Sequence, residues 1–337
     1  VLARFVAWFD GFQQRHAWLG FPLAVRQKYS DDQGAYLGAT ITYYGFFSIF
    51  PLLLVMTTVL GYVLADNPSL AKRIEDSALA QFPVIGHDLK TGSLTGSPVA
   101  VAVGTLAALW AGMGAILAAE NALNKIWGVP RVNRPSFVHA RLRALGLLAV
   151  IGGGLLGATV LTSIASANTH FPAVLNGGSI LLSALLSFLV FWSMLRVLIS
   201  ADVPWGELRA GAAIAAIGYE LLQLLGSYYV GRVVQHASNT YGTFALVIGI
   251  LSFIYLAVFI FLMGAEVSVV LATSLWPRSF SVISERPATP ADVAALEQRA
   301  GAEVRRHDEE VAVSISGGRG EPALDEPRVD DTDPRDP

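Results

Sequence analysis

The sequence contains no cysteine. That absence removes disulfides, thiolate catalysis, thiolate-ligated zinc and iron–sulfur clusters at once, and it assigns no compartment. Charge is scarce as well: 15% of the 337 residues are Asp, Glu, Lys or Arg, against about 25% in an ordinary soluble domain. With 53% hydrophobic residues and a mean hydropathy of +0.53, a water-soluble enzyme is not expected. The charge is also uneven. Residues 275–337 hold 8 of the 23 Lys and Arg and 14 of the 26 Asp and Glu. The preceding 274 residues keep 15 basic and 12 acidic groups, so there is no strongly basic domain and no nucleic-acid partner is expected. Phosphate loops of the form GxxxxGK[ST], HExxH and GxSxG are missing, and no Gly-rich dinucleotide fingerprint stands between a strand and a helix. The histidines are scattered (His16, His87, His139, His170, His236 and His307). The expectation is therefore no enzyme, no metal site, no catalytic residue and no cofactor.

Long apolar runs stand in place of these motifs. About 30 Å of hydrocarbon at 1.5 Å per helical residue calls for roughly 20 apolar residues per span. Six stretches meet this: Tyr36–Ala65, Val99–Ala119, Leu145–Ala167, Ser179–Ile199, Ala210–Val230 and Thr243–Ser274. The expected fold class is all-α, a polytopic membrane protein with six transmembrane helices. Lys and Arg accumulate in cytoplasmic loops. Residues 1–35, residues 120–144 and the connection bearing Arg196 and Arg209 together hold 11, whereas the opposite side holds Lys72, Arg73, Lys90 and Arg232. Both termini are thus expected in the cytoplasm.

Four regions follow from this reading. Residues 1–35 form a cytoplasmic amphipathic segment, in which Leu2, Phe5, Phe9 and Phe12 recur at helical spacing while Arg4, Asp10, Gln13 and Arg15 lie elsewhere. Residues 36–274 form the six-helix domain, with an outer loop whose Asn67-Pro68 starts a short helix. Residues 275–313 form a cytoplasmic segment with a short helix beginning at Thr289-Pro290-Ala291-Asp292, a capping-box pattern. Residues 314–337, rich in Gly, Pro, Asp and Arg, are expected to be a disordered acidic tail.

Polar groups inside apolar spans are expensive, and by default they point to function. Glu220 lies about 15 Å along the fifth stretch at 1.5 Å per residue, and Gln223 and Ser227 follow on the same face. They read either as a substrate or proton site lining a cavity or as hydrogen-bonded glue between helices. The first stretch places Tyr36, Thr40, Tyr44 and Ser48 at fourfold spacing before Pro51, where proline either gates or fixes curvature. Glu120, Arg196 and Glu266 fall at the inner ends of the second, fourth and sixth stretches, a polar network that either clamps or gates that side. Gly153 and Gly157 form a GxxxG pair that permits internal packing or a homo-oligomer. Arg131, Arg134, Arg141 and Arg143 either bind anionic headgroups or merely set topology.

Three segments carry a resemblance: Ile41-Thr42-Tyr43-Tyr44-Gly45-Phe46-Phe47-Ser48-Ile49-Phe50-Pro51-Leu52-Leu53-Leu54, Glu120-Asn121-Ala122-Leu123-Asn124-Lys125-Ile126-Trp127, and Tyr241-Gly242-Thr243 through Gly264-Ala265-Glu266. Together they resemble the YihY/BrkB family of bacterial inner-membrane proteins, and His16-Ala17-Trp18-Leu19-Gly20-Phe21-Pro22-Leu23-Ala24-Val25 resembles its YhjD branch. The resemblance implies six helices in a bacterial inner (plasma) membrane and a role in lipid or envelope-precursor transport, with membrane lipids as partners. An old ribonuclease BN label in the family is not expected to apply, because clustered His and Asp are missing. Transport would use Glu220, Gln223, Tyr44 and Ser48 at the substrate, with Glu120, Arg196 and Glu266 holding the inner side. The competing expectation is a scaffold that transports nothing.

Overall fold

The computed structural model describes residues 2–63, 98–147, 172–229, 235–279 and 288–313. Most of the third apolar stretch with Gly153 and Gly157, the helix expected after Asn67-Pro68 and the tail 314–337 lie outside the described residues, as does the side chain of Ser227.

Among the described residues the chain is all-helical. Its elements are α1 (Leu2–Arg15), α2 (Ala17–Asp31), α3 (Gly34–Val63), α4 (Pro98–Ile126), α5 (Pro172–Leu198), α6 (Trp205–Tyr229), α7 (Gln235–Ala272) and α8 (Pro290–Gly301). A further helical stretch covers 137–147. Three described segments are long and apolar enough to cross a membrane: Ala102–Ile126, Trp205–Gly226 and Val247–Ala272. Backbone helix continues through Pro51 in α3.

Neighbouring long helices run antiparallel, as side-chain pairings show. The Lys125 ammonium donates to Gln33 at 3.2 Å, while a Cβ on Gly114 would lie 2.6 Å from the Tyr44 ring. Residue numbers thus rise on α3 as they fall on α4. On α6 and α7, a Cβ at Gly264 would come within 2.6 Å of the Gly211 carbonyl oxygen, and one at Gly218 within 2.8 Å of Ile260. These small residues let two backbones touch where larger ones would hold them apart.

The core gathers at one end of the bundle. Leu123 and Ile126 of α4, Leu195 and Leu198 of α5, Leu208 of α6, and Leu262, Ala265 and Val270 of α7 are buried there with Val25 of α2 and Ala295 of α8. Farther along, large apolar side chains such as Trp110, Leu186, Leu224 and Phe244 are exposed. Outward apolar faces suit a lipid surround, which offers the helices no hydrophobic drive to bury them.

Two short helices close the packed end. The polar face of α1 turns inward: Asp10 and Gln13 are buried, and the Gln13 amide donates to Asp10 at 3.0 Å and to the Arg278 carbonyl at 2.7 Å. Helix α1 is present, but Asp10 and Gln13 of its polar set dock on protein rather than facing water, while Arg15 and Trp8 are exposed. Helix α8 begins as its sequence predicts. The Asp292 backbone N–H donates to the Thr289 hydroxyl oxygen, the Thr289 N–H and hydroxyl donate to the Asp292 carboxylate, and Pro290 occupies the first turn. Gly128, at φ +63°, turns the chain after α4, and any Cβ there would overlap Gln298 of α8.

Candidate functional site

Two places hold the four expected substrate residues. Tyr44 lies on α3 against Gly114 of α4, and it borders a groove of about 290 Å3 lined also by Thr40, Trp110, Met113, Leu117 and Arg141. The Ser48 hydroxyl is turned back onto its own helix, donating to the Gly45 carbonyl at 2.7 Å. Glu220 lies on α6 against α5, where it accepts from the Ser183 hydroxyl at 3.0 Å and the Ser187 hydroxyl at 2.8 Å. Gln223 donates to the Tyr219 hydroxyl at 3.0 Å, one helical turn back. The carboxylate in α6 is thus tied across a helix pair.

Glu120, Arg196 and Glu266 have three different sets of partners. Glu120 is buried, with the Ser200 hydroxyl at 3.5 Å and Arg143 at 3.9 Å. Arg196 pairs with Asp202 at 2.7 Å, just beyond its own helix. Glu266 is fully buried, with the Lys28 ammonium at 3.8 Å. In place of the single network expected, the three have separate partners: Arg196 pairs within its own turn of chain, whereas Glu120 and Glu266 each meet groups on other elements.

Lys28 and Asp32 are buried as well, and sequence reasoning missed both. Lys28 is 1% exposed; its ammonium donates to the Asp32 carboxylate, to the Ile126 carbonyl at the end of α4 at 2.7 Å, and faces Glu266 of α7. Burial raises the Asp32 carboxyl above its ordinary value, against the pull of Lys28. One lysine thus joins α2, α4 and α7. Their sequence signal was position: both precede the first apolar run, where a charge does not stand out.

A second cluster ties the segment after α7 to α2 and α8. Arg278 pairs with Asp31 at 2.8 Å and Asp292 at 3.2 Å, and Gln27 donates to the Ser279 carbonyl at 2.6 Å. Burial works to raise the Asp292 carboxyl, yet hydrogen bonds from Thr289, Ser279 and Arg278 outweigh it and hold it below its ordinary value. Asn124 and Ser200 bond reciprocally between α4 and the end of α5, at 3.0 and 2.8 Å. The segment Glu120 to Trp127 that carried part of the resemblance is therefore a line of interhelical partners.

Residues 25–279 match the family described as virulence factor BrkB. The chain belongs to the BrkB family. The inner membrane protein YhjD of Escherichia coli is 26% identical over 269 residues, covering 72% of this chain and 78% of that one. A UPF0761 membrane protein of Albidiferax ferrireducens is 28% identical over 272 residues, covering 74% of this chain and 62% of its own length, so this BrkB-family chain spans less than two thirds of that relative. No solved structure matches. The resemblance read from the sequence holds, and the chain is a membrane protein.

One relative corrects the expectation on enzyme chemistry. A Bacillus subtilis protein named as ribonuclease-like, YfkH, is 24% identical over 75% of this chain and 95% of its own. The flat exclusion of an enzyme does not stand beside that name. It rested on histidines and aspartates scattered along the sequence, and linear spacing does not decide which side chains a fold brings together.

Proposed function

We propose that this BrkB-family chain is a six-span protein of the bacterial inner membrane, with both termini cytoplasmic, that acts as a transporter or flippase-like carrier of a lipid or envelope component. The observation that carries the reading is the groove between α3 and α4. It borders Tyr44, its wall is mainly apolar, and Trp110 at its side is 72% exposed, so a lipid in the surrounding bilayer has lateral access to it. Five described helices of 25 to 38 residues, together with the apolar run Leu145–Ala167, support six spans. The gathering of Lys28, Lys125, Arg131, Arg143 and Arg278 around the packed end supports that end as cytoplasmic.

A scaffold is the second reading, and Glu220 favours it. Two serine hydroxyls from α5 satisfy its carboxylate, which is how interhelical glue is built. Translocation of fluorescent phospholipid and glycolipid analogues in proteoliposomes, with and without a proton gradient, separates the two. Glu220→Gln keeps an acceptor for both serines and removes the charge. Transport expects activity in the wild type and its loss in a folded Glu220→Gln; a folded wild type that moves none of the lipids shifts the reading to the scaffold.

A further inference from the structure

This inference rests on the groove as a lipid-handling surface and names what occupies it. Four arginines follow α4, and three reach groups beyond the helical turn they stand on. Arg131 pairs with Glu303 at 2.8 Å. Arg134 donates to the Val129 carbonyl at 3.1 Å and to Asn121 at 3.2 Å. Arg143 approaches Glu120 at 3.9 Å and the Ile199 carbonyl at 3.4 Å. Arg141 differs. Its guanidinium lies 3.4 Å above the Phe137 ring and reaches the Phe137 carbonyl at 3.5 Å, and no carboxylate pairs with it among the described residues. Arg141 is also the arginine that lines the groove.

The groove has two unlike ends. With α3 and α4 antiparallel, Thr40 and Ala118 mark the end toward the packed, charged face, and Trp110 lies about 12 Å farther along α4 at 1.5 Å per residue. Arg141 belongs to the helical stretch 137–147, which sets out from the charged face. Between the ends run Leu117, Met113 and the Tyr44 ring, which Gly114 allows to lie flat.

The geometry points to this groove as a binding site for an anionic membrane lipid of the leaflet at the charged end, with its headgroup phosphate on Arg141 and an acyl chain along Leu117, Met113 and Trp110. A planar guanidinium matches phosphate oxygens with paired donors. Lying over Phe137 holds the guanidinium in place, and its N–H groups other than the one toward the Phe137 carbonyl are left to an incoming anion. A zwitterionic lipid brings its own ammonium to the phosphate and gains less from the arginine. A soluble anion leaves the apolar length of the groove unused.

Trp110 supplies the readout. The full chain and Trp110→Phe are reconstituted in phosphatidylcholine bilayers containing phosphatidylglycerol, with brominated acyl chains on one lipid or the other, and the difference in tryptophan quenching isolates Trp110. Brominated phosphatidylglycerol is expected to be preferred about fivefold, the size of one cation acting on an anionic headgroup. The preference should fall to near one in Arg141→Gln, persist in Arg141→Lys and be unchanged in Arg131→Gln. Gly114→Leu, which drives the Tyr44 ring into the groove, should lower quenching by both lipids. Equal quenching by the two lipids in the wild type, or an unchanged preference in Arg141→Gln, overturns the site. Loss of the preference on adding inorganic phosphate overturns the lipid assignment in favour of a soluble anion. Binding is read here without translocation, so headgroup preference without lipid flipping removes the transport reading and leaves this site standing, whereas flipping without headgroup preference does the reverse.

Discussion

Lys28 has almost no solvent contact, and three acceptors surround its side-chain nitrogen: Asp32, the Ile126 carbonyl and Glu266. Removing one partner of a buried ion cluster costs more than forming it gains, since the remaining charges stay buried and uncompensated. Lys28→Met is therefore expected to destabilise the protein by about 3–5 kcal/mol, seen as a large fall in the thermal midpoint in detergent. Adding Glu266→Gln to Lys28→Met should recover part of that loss. Asp292 gives the pH dependence. Its carboxyl is held below its ordinary value, so its contribution is fully present above the unfolded value, and it is lost as pH falls through the depressed folded value. Amide exchange in α8 should accelerate in that acid range in the wild type, and Asp292→Asn should remove the pH dependence. Of these residues Glu266 was legible in the sequence because it interrupts an apolar run, and Asp292 because it completes a capping-box pattern. Lys28, Asp32 and Arg278 sit in ordinary polar sequence, and their burial comes from helices that meet only in three dimensions.

At the level of helices, the contact between α6 and α7 depends on two glycines. A side chain at Gly211 would overlap the Gly264 carbonyl oxygen, so Gly211→Leu must part the two helices. The expected outcome is loss of monodisperse protein on size-exclusion chromatography, whereas Gly146→Leu, where a Cβ meets nothing within 4 Å, should be tolerated. The sequence pointed instead to Gly153 and Gly157, since GxxxG is a pattern within one helix, whereas the pair Gly211 and Gly264 belongs to two. Apolar length located the long helices well and their ends poorly. The apolar stretch Val99–Ala119 stops short of the end of α4, which runs on to Ile126, where Glu120, Asn124 and Lys125 find partners on neighbouring elements. Helix α2 was not separated from α1, for the polar residues on it that bury do so against protein rather than marking a water-facing stripe. The capping box of α8 was fully legible, being local: Thr289, Pro290 and Asp292 satisfy one another within four residues.

For the whole molecule, the lack of cysteine makes topology directly measurable. With six spans and cytoplasmic termini, Ser136→Cys should react with a membrane-impermeant thiol reagent only from the cytoplasmic side, and Ser93→Cys only from the opposite side; labelling of both from one side would defeat that arrangement. Sequence reasoning reached the membrane class and the family because both are written in composition and local motifs. It named Thr40, Tyr44 and Arg141 separately but did not bring them together as a groove, since Trp110 and Arg141 come from other helices and carry no shared pattern with Tyr44. The latch between Arg131 and Glu303, with the Val132 N–H donating to the Val304 carbonyl at 3.2 Å, bears on biosynthesis. The loop after α4 is made early, yet its partner leaves the ribosome only after the last long helix. Until then Asp31 waits for Arg278, and Gly128 has no Gln298 against it. Every nascent chain thus passes through a stage in which its long helices exist and its charged end is open, when premature termination would hand quality-control proteases a recognisable unfinished face.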